Sequence, residues 1–140
     1  MVFPIAVGGM ERPKILLADD EPAVLEGVRR LLESEFLVVG TAQDGLSLLA
    51  AAESLKPDVI IADISMPVLN GFEVARRLKA ACRETRIIFL TVHEEPVAVS
   101  EALGIGVDGY VIKRSAALDL IPAIRHVLQG RSYVSPAVQQ

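Results

Sequence analysis

Five short apolar runs punctuate this sequence, and the longer ones do not alternate. Residues 14–18 (KILLA), 36–42 (FLVVGTA), 58–63 (DVIIAD) and 86–91 (RIIFLT) are rich in β-branched and aromatic side chains; a fifth run, 109–113 (GYVIK), is shorter. A strand with one wet face alternates apolar and polar residues, whereas a run such as Val59 to Ala62 has the pattern of a strand covered on both faces. That condition is met in a parallel sheet between two layers of helices.

Between the runs the period becomes helical. Residues 22–34 place Val24, Leu25, Val28, Leu31 and Leu32 on one face, with Glu26, Arg29, Arg30 and Glu33 on the other. Pro22 suits the first turn of that helix. Residues 45–55 and 71–81 repeat the pattern, 96–103 gives a short helix of small residues, and 116–129 carries a stripe of Leu120, Ile121, Ile124, Val127 and Leu128 stopped by Gly130. Strand and helix thus alternate five times. With right-handed crossovers, that order gives an α/β fold with a doubly wound parallel sheet, whose ligand crevice lies beyond the carboxyl ends of the strands.

The chain of 140 residues suffices for one domain. Its first nine residues are apolar but lack a preceding basic residue and are broken by Pro4, so they read as a tail and not a signal. No apolar run approaches the roughly 18 residues of a membrane helix. With 14 basic and 18 acidic residues, the net charge of −4 gives no positive field to attract nucleic acid, so no direct DNA contact is expected from this chain. The lone Cys82 forms neither an internal disulfide nor a cysteine-based zinc site, in keeping with a reducing cytoplasm.

Four of the five expected strand tips end on a polar group: Asp19 and Asp20, Asp63, Thr91 and Lys113. Carboxylates about 4 Å apart repel by roughly 4 kcal/mol at an effective dielectric near 20, so clustered acids call for a cation. Lys113 supplies one positive charge. A hard divalent ion, Mg²⁺, supplies the rest, with Asp20 and Asp63 as inner ligands, Asp19 held through water, and a backbone carbonyl near Ser65 turned toward the metal by the loop ISMPVLNG. Metal, ammonium and hydroxyl together form a receptacle for a phosphoryl group, and Asp63, alone at the tip of a central strand, is the candidate nucleophile.

The segments LLADDEP, PDVIIADISMPVLNGFE, IIFLTVHE and GVDGYVIKRS, in that order, resemble the receiver domain of bacterial two-component response regulators over about residues 13–131. The resemblance implies a flavodoxin-like (βα)₅ fold with a five-stranded sheet in the order 2-1-3-4-5. It implies Asp63 as phosphoacceptor, Asp19 and Asp20 as the acidic pair, Thr91 as the switch hydroxyl, Tyr110 as the switch aromatic and Lys113 as the site lysine. It also implies a sensor histidine kinase as phosphodonor, self-phosphorylation and autodephosphorylation instead of turnover of an external substrate, and homodimerisation on phosphorylation. Ser65, Val92 and Arg114 depart from common family residues, and Arg114 in place of a proline removes the expectation of a cis peptide. The ending AIRHVLQGRSYVSP resembles the subgroup in which a helix-turn-helix DNA-binding domain follows, so residues 1–12 are expected as an N-terminal tail and 132–140 as a C-terminal tail or the start of a linker.

Two other functions share the site: a Mg²⁺-dependent phosphohydrolase acting on an external substrate, for which DISMP lacks a second acid, and a stand-alone receiver acting by protein–protein binding. By residue type alone, Tyr110 reads as half-buried strand packing with a wet hydroxyl, His93 as polar loop surface without a catalytic part, and His126 as the polar side of the last helix.

Overall fold

The computed structural model describes residues 11–139, so the expected N-terminal tail lies outside the described residues except for Glu11 and Arg12. The apolar runs become strands β1 (Lys14–Ala18), β2 (Leu37–Ala42), β3 (Val59–Ala62), β4 (Arg86–Thr91) and β5 (Gly109–Ile112). All pair in parallel, in the order 2-1-3-4-5 followed by one more strand.

That extra strand, β6 (Tyr133–Val134), corrects the expectation of five. It pairs in parallel with β5, and its backbone is held by bonds from Tyr133 N to Asp108 O at 3.0 Å and from Ser135 N to Tyr110 O at 2.8 Å. Two residues closed by Pro136 carry too little pattern to be read as a strand.

Successive side chains of one strand point to opposite faces, so each strand feeds two cores. Leu16, Ala18, Ile60, Ala62, Phe89 and Tyr110 pack on one side with residues of α2 (Gly45–Leu55), α3 (Gly71–Ala81) and α4 (Pro96–Ile105). Ile15, Leu17, Val59, Ile61, Leu90 and Val111 pack on the other with α1 (Pro22–Leu32) and α5 (Ala116–Leu128). This double coverage is why the runs do not alternate. Burial of each large aliphatic side chain contributes about 1.5–3 kcal/mol, well above what an exposed ion pair supplies, so the two layers and not the surface charges hold the fold.

Helix ends place the loops at the upper rim. Pro22 opens α1. The Asp44 side chain accepts from Ser47 N and caps α2, and Asn70 accepts from Glu73 N and caps α3. At the start of α3, Gly71 N donates to Ile64 O at 2.7 Å, and a Cβ on Gly71 would lie 2.6 Å from Asp63 O. Only a residue without a side chain lets this helix begin so close to the end of β3. In the same loop Val68, exposed to solvent, holds a φ of 71°, a left-handed conformation that β-branched residues avoid.

Candidate functional site

The ladders of β1 and β3 run one residue past the strands: Asp19 N donates to Ala42 O and Asp63 N to Ala18 O, each at 3.0 Å. Both aspartates are therefore fixed by their backbones at the carboxyl rim, and both are buried, whereas Asp20 is exposed. On the far strands Thr91 lies opposite Ile112, so Lys113, the next residue, leaves the sheet at the same rim. Its ammonium sits 2.8 Å from Asp19 Oδ2, 3.2 Å from Asp63 Oδ2 and 3.9 Å from Glu21 Oε1.

The charges respond to that enclosure. Burial alone would lower the Lys113 ammonium, but its hydrogen bond to Asp19 and the charges of Asp63 and Asp19 outweigh it and raise it above the ordinary lysine value. Burial pulls Asp19 above the usual carboxylate value, against the hydrogen bonds from Lys113 and from the Glu21 amide. The lysine does not fully offset the burial of Asp19.

The other half of the rim is organised around His93, a residue that its type alone marked as polar surface. The Thr91 hydroxyl, fully buried, accepts from His93 N at 3.3 Å, and the Tyr110 hydroxyl donates to His93 O at 2.8 Å. Tyr110 is not half-buried with a wet hydroxyl: it has no exposed surface, and its ring meets Phe89 edge-on at 6.4 Å. Burial, with the charges of Glu95 and Asp63, pushes its phenol up to about 12. The His93 ring lies between Ser65 Oγ, 2.8 Å from Nε2, and Glu95 Oε2, 3.4 Å from Nδ1. Arg114 binds Glu94 through two 2.8 Å hydrogen bonds, joining the loop after β4 to the turn after β5. The Tyr110, Arg114 and Ser65 contacts span 17, 20 and 28 residues and leave no local pattern in the chain.

Carboxylate oxygens of Asp19, Asp20 and Asp63 lie within 4.8 Å of one another, a set of hard oxygen donors suited to a small divalent cation. Within that set Asp63 Oδ1 is buried with no hydrogen-bond partner among the described residues, while Oδ2 is held by Lys113. An orphaned carboxylate oxygen at the floor of an acidic cluster fits a ligand supplied from outside the chain.

The sequence model of the response regulator receiver domain matches residues 15–125. The chain belongs to that family. This receiver is 37% identical over 127 residues to the transcriptional regulatory protein DegU of Brevibacillus brevis, an alignment that takes in 89% of the chain. It spans about half of that curated relative, 54% of its length. Its fold matches a two-component response regulator of the LuxR family from Aurantimonas, with a TM-score of 0.87 and 32% identity over 91% of this chain and 93% of that one. It also matches the isolated receiver of RcsB from Salmonella enterica serovar Typhimurium, solved with the phosphomimetic BeF₃⁻, with a TM-score of 0.85 and 30% identity over 91% and 96% of the two chains. This receiver is thus similar to the corresponding part of a transcriptional regulatory protein. Among the described residues no helix is long and apolar enough to cross a membrane.

The rim brings together Asp19, Asp20, Asp63 and Lys113 as the sequence led one to expect. Thr91 and Tyr110 meet through the backbone of His93, and Ser65 turns its side chain to the His93 ring.

Proposed function

We propose that this receiver takes a phosphoryl group from a histidine of a sensor kinase onto Asp63, and that the change is relayed through Thr91 and Tyr110 to control transcription through an output domain C-terminal to these residues. The observation that carries this reading is the asymmetry of the Asp63 carboxylate, with Oδ2 fixed by Lys113 and Oδ1 buried and unpartnered. In the reaction a carboxylate oxygen attacks phosphorus, the P–N bond to the donor imidazole breaks, and the imidazole leaves with a proton from solvent. Hydrolysis reverses the modification: water attacks phosphorus, the acyl P–O bond breaks, and inorganic phosphate departs.

Asp20 and Asp63 would hold Mg²⁺ directly, with Asp19 through water and the Ser65 carbonyl as a further ligand. The ion supplies charge neutralisation of the phosphoryl oxygens. Lys113 serves the same end from the protein side, and the Thr91 hydroxyl donates to a phosphoryl oxygen, drawing on the loop that His93 ties to Tyr110. Residues 13–131 form the receiver proper in this reading, acting in the cytoplasm and pairing with a second copy once phosphorylated.

The test is incorporation of phosphate from acetyl phosphate with Mg²⁺, read as a mobility shift on a phosphate-binding gel. Wild-type protein should take up one phosphate and Asp63→Asn none. Equal labelling of the two rejects the assignment.

A further inference from the structure

Asp119 is an acid in the first turn of α5, yet it is buried, and a carboxylate out of water is costly unless hydrogen-bonded. Its partners come from the far end of the chain. Asp119 Oδ2 accepts from Ser135 Oγ at 2.8 Å and Oδ1 from the Tyr133 hydroxyl at 3.2 Å. Ser135, wholly buried, then uses everything it has: Oγ accepts from Ile112 N at 3.0 Å, and its own amide donates to Tyr110 O at 2.8 Å. One serine thereby joins α5, β5 and the segment after α5.

The segment also crosses the sheet edge. Tyr133 packs with the α1/α5 core, its ring 5.4 Å from that of His126, while Val134 and Val138 belong to the core on the opposite side. A two-residue strand has little stability of its own, so the polar network and these flanking apolar contacts decide whether it stays docked.

We propose that residues 133–138 are a strap latched by the Asp119–Ser135 pair, and that the latch couples the path of the chain beyond the receiver to the strand carrying Tyr110. The strap binds β5 at the main-chain oxygen of Tyr110 and the amide of Ile112, so a displacement of either leaves Ser135 and Asp119 with an unpaired buried group. Strand and strap move together or the strap undocks. The coupling, though not the latch, rests on the reading of Asp63 as phosphoacceptor.

Amide exchange of the full chain, followed by NMR, tests both parts. In Ser135→Ala the amides of Tyr133 and of position 135 should exchange roughly tenfold faster or more, with a smaller acceleration in Tyr133→Phe and none at Asp63. Unchanged exchange in both variants overturns the latch, and if Ser135→Ala does not fold, Tyr133→Phe decides. Beryllofluoride with Mg²⁺ is then added to wild-type protein and its binding read by fluorine NMR. Altered exchange at Tyr133 and Ser135, lost in the variant, supports the coupling, and a bound fluorine signal with unaltered exchange overturns it. Absence of that signal rejects the phosphoacceptor reading and the coupling with it, while the variant comparison still decides the latch.

Discussion

The phenol of Tyr110 reaches across the upper rim to donate a 2.8 Å hydrogen bond to the main-chain carbonyl of His93, so the most enclosed aromatic ring of the sheet is tied to the loop after β4. The ring and that loop are one mechanical unit.

Removing only the hydroxyl isolates this tie. Tyr110→Phe should fold normally and lose about 1 kcal/mol of stability, the net worth of one such bond, measured by urea denaturation. Alkaline titration gives an independent check. The folded phenol is raised from 10.0 to about 12, so its contribution to stability is intact below the unfolded value and lost as the pH climbs through the folded one. The ultraviolet absorbance of tyrosinate should therefore develop above pH 10.0 in native protein, since Tyr133 is raised as well by burial and by the charge of Asp119.

Lys113→Met leaves Asp19 and Asp63 facing each other without their cation. A loss of about 3 kcal/mol at neutral pH is expected, in the range for breaking a buried pair by removing one partner. Burial already raises Asp19, and a raised acid stabilises the folded state below its unfolded value and ceases to do so as pH rises. The deficit of the variant should therefore shrink in mild acid, where the Asp19 carboxyl takes up a proton. Denaturant midpoints at two pH values read it directly.

Addition of Mg²⁺ should raise the thermal midpoint, by about 2.7 kcal/mol of stability when the ion is at a hundred times its dissociation constant. Asp20→Ala should abolish that rise. Asp20 is exposed, so without metal the same variant is expected to lie within about 0.5 kcal/mol of wild type. A Mg²⁺-induced shift that survives in Asp20→Ala would remove this residue from the metal set.

Val68→Gly relieves the left-handed φ of 71° in the loop beyond Asp63. The side chain is exposed and packs little, so the variant should gain about 1 kcal/mol by thermal denaturation. A loss would mean that the valine is held there by contacts worth more than its strain.

The two-sided parallel sheet and the acidic rim were legible because both depend on features local in sequence, whereas the strand order came only with the resemblance to receiver domains. Non-alternating runs set a two-sided sheet, and the residue after each run falls at the rim whatever the loops do, which placed Asp19, Asp63 and Lys113 together. What stayed hidden depends on distant partners. Tyr110 looks like any strand tyrosine until Phe89 and the His93 carbonyl close over it. Ser65 and His93, 28 residues apart, meet because two loops converge, and β6 is too brief to show a period. Asp119 sits one place before the apolar stripe of its helix and reads as a solvent-facing acid until Ser135 is seen to cover it.

The division of each strand between two cores sets a rule for how such a domain can change length. One residue inserted within β3 would turn Ile60 and Ile61 to the wrong layers and swing Asp63 away from Lys113 in the same stroke. Insertions that spare the fold therefore belong at the lower end of the sheet, in a connection such as 82–85 whose residues are not buried and where the parity of the side chains below the rim is left undisturbed.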